Sequence, residues 1–404
     1  LLNSTQEAIL QGGASYTLGA LTVRSYQNTD QTDDYDAVAN IFAGGGGLLS
    51  ATAFITVATA NATGIASAGA ASLTVTGEII IESYGRSNAG VIIQKANIAG
   101  VSVGIMVGIA YAKGTFGAYL GSDSAVINTA GVTIYTEYTG YAKADINPST
   151  GGFNVNLVAI SGNVGVAEVN TIAHAGIRGT GSVSSTKKIS VRVKGTVSAY
   201  AVVHGATISV GALDITVNVA TATLAADQSA FIDGASVYTT GAGNDGDVSI
   251  KSEYNTPGTY DIHGGPTFPT TFGDGATALV GANGGPSVKL SIASGSVNVA
   301  TANANSTGSA YITGASTDIS GSLLVRSFGV SYANADIESP TVSVSLVNVA
   351  ISATEANASG IYSAYIDSTG SALGIKAGLI SVDTRYNTKA IAKVCPGGGV
   401  SAAI

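Results

Sequence analysis

Tryptophan is missing from this 404-residue chain, and cysteine and methionine occur once each. A single thiol, Cys395, excludes an internal disulfide framework. The three histidines, His174, His204 and His263, sit at unrelated points, and the HExxH, GxSxG, CxxC and Walker signatures are all absent. Charged residues make up only 10% and the net charge is −8, so no basic stripe exists to neutralise phosphates and a nucleic-acid partner is excluded. The longest apolar run, VSVGIMVGIAYA at 101–112, is too short and too interrupted by glycine to span a bilayer. The opening LLNSTQEAIL has neither a charged start nor a cleavage site.

What is present is small and apolar. Hydrophobic residues reach 45%, mostly Ala, Val and Ile, enough buried surface to offset chain entropy but only through a thin core. The 54 glycines lack the third-residue period of collagen. Residues 217–234 read VNVATATLAADQSAFIDG, and residues 297–314 read VNVATANANSTGSAYITG. A strand-like phrase also recurs: LTVRSY, IIIESY, VTIYTEY, ISVRV, VSIKSEY, LLVRSF and ISVDTRY. Its third apolar position falls at Val23, Ile81, Ile134, Val191, Ile250, Val325 and Val382, with spacings of 58, 53, 57, 59, 75 and 57.

Such periodicity predicts an all-β, elongated, repetitive β-solenoid (β-helix-like) with no significant helix. The body spans 1–404 in units of about 57 residues, starting near 21, 79, 132, 189, 248, 323 and 380, with partial units at both ends. The long interval holds a Gly/Pro-rich stretch at 255–286, read as an inserted surface loop and as the best candidate for specific contacts.

Each unit has the same internal order. The residue after the anchor is Arg24, Glu82, Tyr135, Arg192, Lys251, Arg326 or Asp383, as expected of a solvent-facing slot on a period-two strand. A short turn and a second strand follow, and antiparallel pairing of these two strands is an alternative. Pro148, Pro286, Pro340 and Pro396 precede a long third strand. A fourth element places Tyr119, Phe231, Tyr311 and Tyr365 where a stacking ladder would form. Aromatics offset from the anchor by three (Tyr26, Tyr84, Phe328) and by four (Tyr138, Tyr254, Tyr386) imply bulges or register shifts. The length of the third strand favours one wide coil per unit over three narrow rungs.

The ends Leu1, Leu2, Ala403 and Ile404 lie inside split units and are read as assembly ends. Either the chain is a window in a longer array, or copies complete each other head to tail.

The pattern VSV…VNV…NST…AYI, followed by a V-x-V-x-S strand and a YAxAD strand, resembles the repeats of very large bacterial filamentous adhesins. These are the filamentous-haemagglutinin-like and leukotoxin-family surface exoproteins. The resemblance covers almost the whole chain and rests on small and β-branched residues. It implies an exported, extracellular, cell-surface fibre or stalk that acts in attachment or matrix building and has no catalytic residues. Partners would be the chain itself and glycans or proteins of host or neighbouring cells.

Candidate chemistry is sparse. Asp30, Asp33, Asp34 and Asp36, and separately Asp245 and Asp247, could offer oxygens to Ca²⁺, though solvated loops explain them better and no cofactor is expected. Asn3, Asn61, Asn305 and Asn357 begin N-x-S/T triplets, read as turn chemistry in a bacterial chain and as glycan sites in a eukaryotic secreted one. The competing function is a carbohydrate-active right-handed β-helix, a polysaccharide lyase or hydrolase. That would require converging carboxylates on one face, whereas the outward charges here rotate among Arg, Glu, Lys and Asp. An ice-binding face would need unbroken Thr columns, and Thr shares its slots with Asn, Ala and Ser.

Overall fold

In a computed structural model the chain forms one continuous stack of parallel strands. Residues 12, 30–32, 122–124, 148–152, 156, 205–207, 257–274, 282–286, 339–340, 368, 370–373, 396–398 and 401–404 lie outside the described structure. Among the described residues there is no α-helix, only a 3₁₀ turn at Gly243–Gly246. Among the described residues no helix is long and apolar enough to cross a membrane.

The recurring phrases take identical places. Val23 pairs with Ile81, Ile81 with Ile134, and Ile134 with Val191; the column continues through Ile250 and Val325 to Val382. The twin stretches at 217–234 and 297–314 lie on adjacent rungs, from Val217↔Val297 to Asp233↔Thr313. Backbone N–H and C=O groups are therefore satisfied by the rungs above and below. The anchor and second strands do not form an antiparallel hairpin. They run on in one strand, as in Ile189–Val203, and each residue pairs in parallel with its counterpart on the neighbouring rung.

The aromatics offset by three and four need no bulge. Pairing runs unbroken through 189–195, so the two offsets are simply the two faces of a pleated strand. Tyr26 and Tyr84 stack outside at 5.3 Å, while Tyr138 and Tyr254 are buried inside. The register shift that does occur lies between Ile319 and Ser322.

Each rung closes as two layers, the anchor and second strands facing a long strand such as Val158–Arg178 or Ile208–Asp233. Small side chains let the layers approach. One column of the long strands is alanine throughout, Ala58, Ala110, Ala167, Ala222, Ala302 and Ala356. Facing it, the second strands stack Ala89, Ala142, Ala199, Ala276, Ala333 and Ala390. Buried hydroxyls tie the layers together: Ser83 donates to the Gly64 carbonyl at 2.9 Å, and Ser327 to the Gly308 carbonyl at 3.0 Å.

Larger side chains alternate with nothing. Along one inward column the residues are Gly85, Tyr138, Gly195, Tyr254, Gly329 and Tyr386. The Tyr138 ring fills the space at Gly195, and the Tyr362 ring of the facing strand fills that at Gly329. At the corner after four of the fourth elements stands a positive-φ glycine, Gly121, Gly179, Gly234 or Gly314, a conformation a side chain would resist.

Seven anchor rungs at about 4.8 Å span roughly 30 Å of axis, whereas a strand of 21 residues, Val158–Arg178, reaches about 70 Å. These windings alone thus make a broad plate, not a rod.

Candidate functional site

The outer anchor face carries two columns of charge and aromatic rings. Arg24 pairs with Glu82 at 2.6 Å, Lys194 with Glu137 at 2.8 Å, and Glu253 with both Arg192 and Lys251. These carboxylates are held by cations on their own or adjacent rungs and do not converge on a common point. Burial alone would raise the Glu137 carboxyl, but hydrogen bonds from Lys194 and Tyr135 outweigh it and hold the group below its usual range. Tyr84, packed on Tyr26 and edge-on to Tyr135, is pushed up to about 12, chiefly by burial.

In the fourth elements the structure places the aromatic column as follows. Tyr311 and Tyr365 stack at 5.2 Å and 4°, and Phe231 and Tyr311 at 5.4 Å and 11°. Tyr119 and Phe231 are not adjacent, because Gly176 occupies the rung between them. Their rings close over it to 6.5 Å, tilted by 47°. Arg178 lies 4.3 Å from the centre of the Tyr119 ring. Beside this pair is an open groove of about 750 Å³, lined by Leu10, Ser67, Tyr119, Gly121, Arg178 and Gly179. One guanidinium and one ring offer stacking and a hydrogen-bond fork but no acid–base pair.

The acidic stretch near the start is a latch between windings. Asp36 accepts hydrogen bonds from the Arg86 side chain at 2.8 Å and from the Asn88 backbone N–H at 2.7 Å, and the Asp33 and Asp34 carbonyls accept from the Arg86 and Asn88 side chains. Asp30 lies outside the described residues. Asp247 accepts from the Ser322 N–H at 2.6 Å, and Asp245 sits in the 3₁₀ turn. Among the described residues no group of three or more His, Cys, Asp or Glu could hold a metal ion. His174 bonds Ser229 and His204 bonds Asp145, on opposite layers; His263 lies outside the described residues. Most of the 255–286 stretch, the four prolines before the long strands, Ala403 and Ile404 also lie outside them. Leu1 is exposed and Leu2 packs partly against the core.

Sequence reasoning missed one surface. In the first half of the three long strands through 163, 218 and 298 the sidedness is inverted, whereas the two windings before them keep Phe54 and Met106 inward. Inward, Asn163, Asn218 and Asn298 stack with amide hydrogen bonds of 2.8 and 2.9 Å. Outward, the neighbouring column reads Ala53, Ile105, Gly162, Val217, Val297 and Ile351. The signal was parity: the alanines at 167, 222 and 302 share alternation with the asparagines at 163, 218 and 298, so valines and isoleucines of the opposite parity must point out. Searches against protein-family models, characterised proteins and solved structures return no match to this chain.

Proposed function

We propose that this chain is a non-enzymatic structural or adhesive segment, exported to the cell surface, whose windings of about 57 residues add along one axis to form a fibre or stalk. The observation that carries this reading is the unbroken alignment of equivalent side chains through seven anchor rungs. A body knitted in this way resists extension through backbone ladders, and it gains length simply by adding rungs. The anchor-face carboxylates support it too, since they are engaged by neighbouring cations and not gathered around a cleft. Attachment would be served by the exposed members of the outer aromatic and charged columns, such as Arg24 and Tyr26.

The test is microscopy joined to localisation. Intact producing cells labelled with antibody should carry the chain outside, on fibres whose diffraction has a 4.8 Å spacing along the axis. A chain confined to the cell interior, or one that depolymerises polysaccharide, overturns the reading.

A further inference from the structure

The outward side of the long strands carries a surface that axial stacking does not use. Four adjacent columns, led by Leu49, Ala51, Ala53 and Ile55, cross six windings and contain only Val, Ile, Leu, Ala and Gly. Ile55 is 74% exposed, Val349 57% and Ile105 50%. Slipping a strand by one residue would bury this set, but it would turn the inward alanine column outward on every winding and, on three of them, the bonded asparagines too. The exposure is therefore fixed by the fold.

We propose that this face seats a second copy of the same chain, packed sheet on sheet about a two-fold axis. Columns two residues apart lie about 6.7 Å from one another and rungs about 4.8 Å, so each residue covers about 32 Å² and the patch about 770 Å². Two such faces bury roughly 1,500 Å², the size of a stable specific interface. The patch contains no charge, so it fits a partner as apolar as itself. A copy offers ridges of the same spacing over the whole height, which neither a bilayer nor an irregular surface does. The face also has dents. At Gly162 the only atom within 4 Å of an added Cβ is Ile105 Cγ1, at 4.0 Å, and at Gly295 the nearest is Ile215 Cγ1, at 3.9 Å. Each dent has room for a branched side chain of the facing copy.

The pairing stands independently of export or adhesion and is tested on the purified full chain. Light scattering after gel filtration should give twice 39.7 kDa at micromolar concentration. Val217→Lys and Ile105→Lys place unpaired charges in the seam and should weaken association at least ~100-fold. Both side chains face solvent in the single chain, so their circular dichroism should match the parent. Thr22→Lys, exposed on the anchor face, should leave the pair intact. A wild-type chain that is monomeric at about 100 μM overturns the proposal. So does association that survives both lysines, which would place the contact elsewhere. Binding of a monomeric chain to phosphatidylcholine vesicles, lost in the lysine variants, also overturns it and makes a lipid surface the occupant.

Discussion

At Gly195 an added Cβ would stand 2.3 Å from Tyr138 Cζ, on a ring that is itself fully buried. Gly195→Ala should therefore cost about 1–3 kcal/mol in urea unfolding, while Gly162→Ala, with open space above it, should change stability by less than about 0.5 kcal/mol. His174 supplies a second single-residue test. Burial lowers its imidazole below the ordinary 6.5, with Asp227 pulling the other way. As pH falls the unfolded chain takes up this proton first, so stability present at neutral pH should decline once pH drops below about 6.5, until the native ring also protonates. Replacing it by His174→Gln should flatten the urea midpoint across that range.

Within elements, alternation was readable wherever apolar and charged residues took turns. The anchors have Ile or Val inside and Arg, Glu or Lys outside, so their columns follow from the sequence. It was less readable where both parities are unpolarised. The long strands alternate Val with Asn, Ser or Gly, and hydrophobicity alone assigns the valines to the core. Only the continuous alanine parity downstream reverses that assignment, because two layers this close admit methyl groups and little else. The aromatic offsets were misread for a related reason: three and four residues from an anchor are opposite faces, not a defect. Nor could a recurring A-Y-I phrase reveal that Gly176 interrupts the ring column. The outward columns have an energetic test of their own. Glu253, whose side chain is 1% exposed, holds Arg192 and, at 2.7 Å, Lys251. Glu253→Gln leaves these cations beside each other and should destabilise by about 1–3 kcal/mol, the loss shrinking as salt is added.

For the molecule as a whole, each rung touches only its neighbours, so stability should vary along the axis. Hydrogen exchange followed by mass spectrometry on the isolated chain should find the slowest amides between 132 and 254, with protection falling toward both outer windings. Equal protection throughout would mean one cooperative block instead. Parallel pairing of distant segments also puts almost every contact at long sequence separation, which should make refolding slow.

The alternation of tyrosine and glycine down one inward column sets a packing rule. Deleting a single winding, 132–188, would bring Gly195 against Gly85 and leave an unfilled hole, while duplicating one that bears a tyrosine would drive ring against ring. Gain or loss of windings in pairs preserves the large-over-small order. Variants of this chain with two windings added or removed should therefore unfold at higher urea than variants with one, a comparison that checks the packing rule directly.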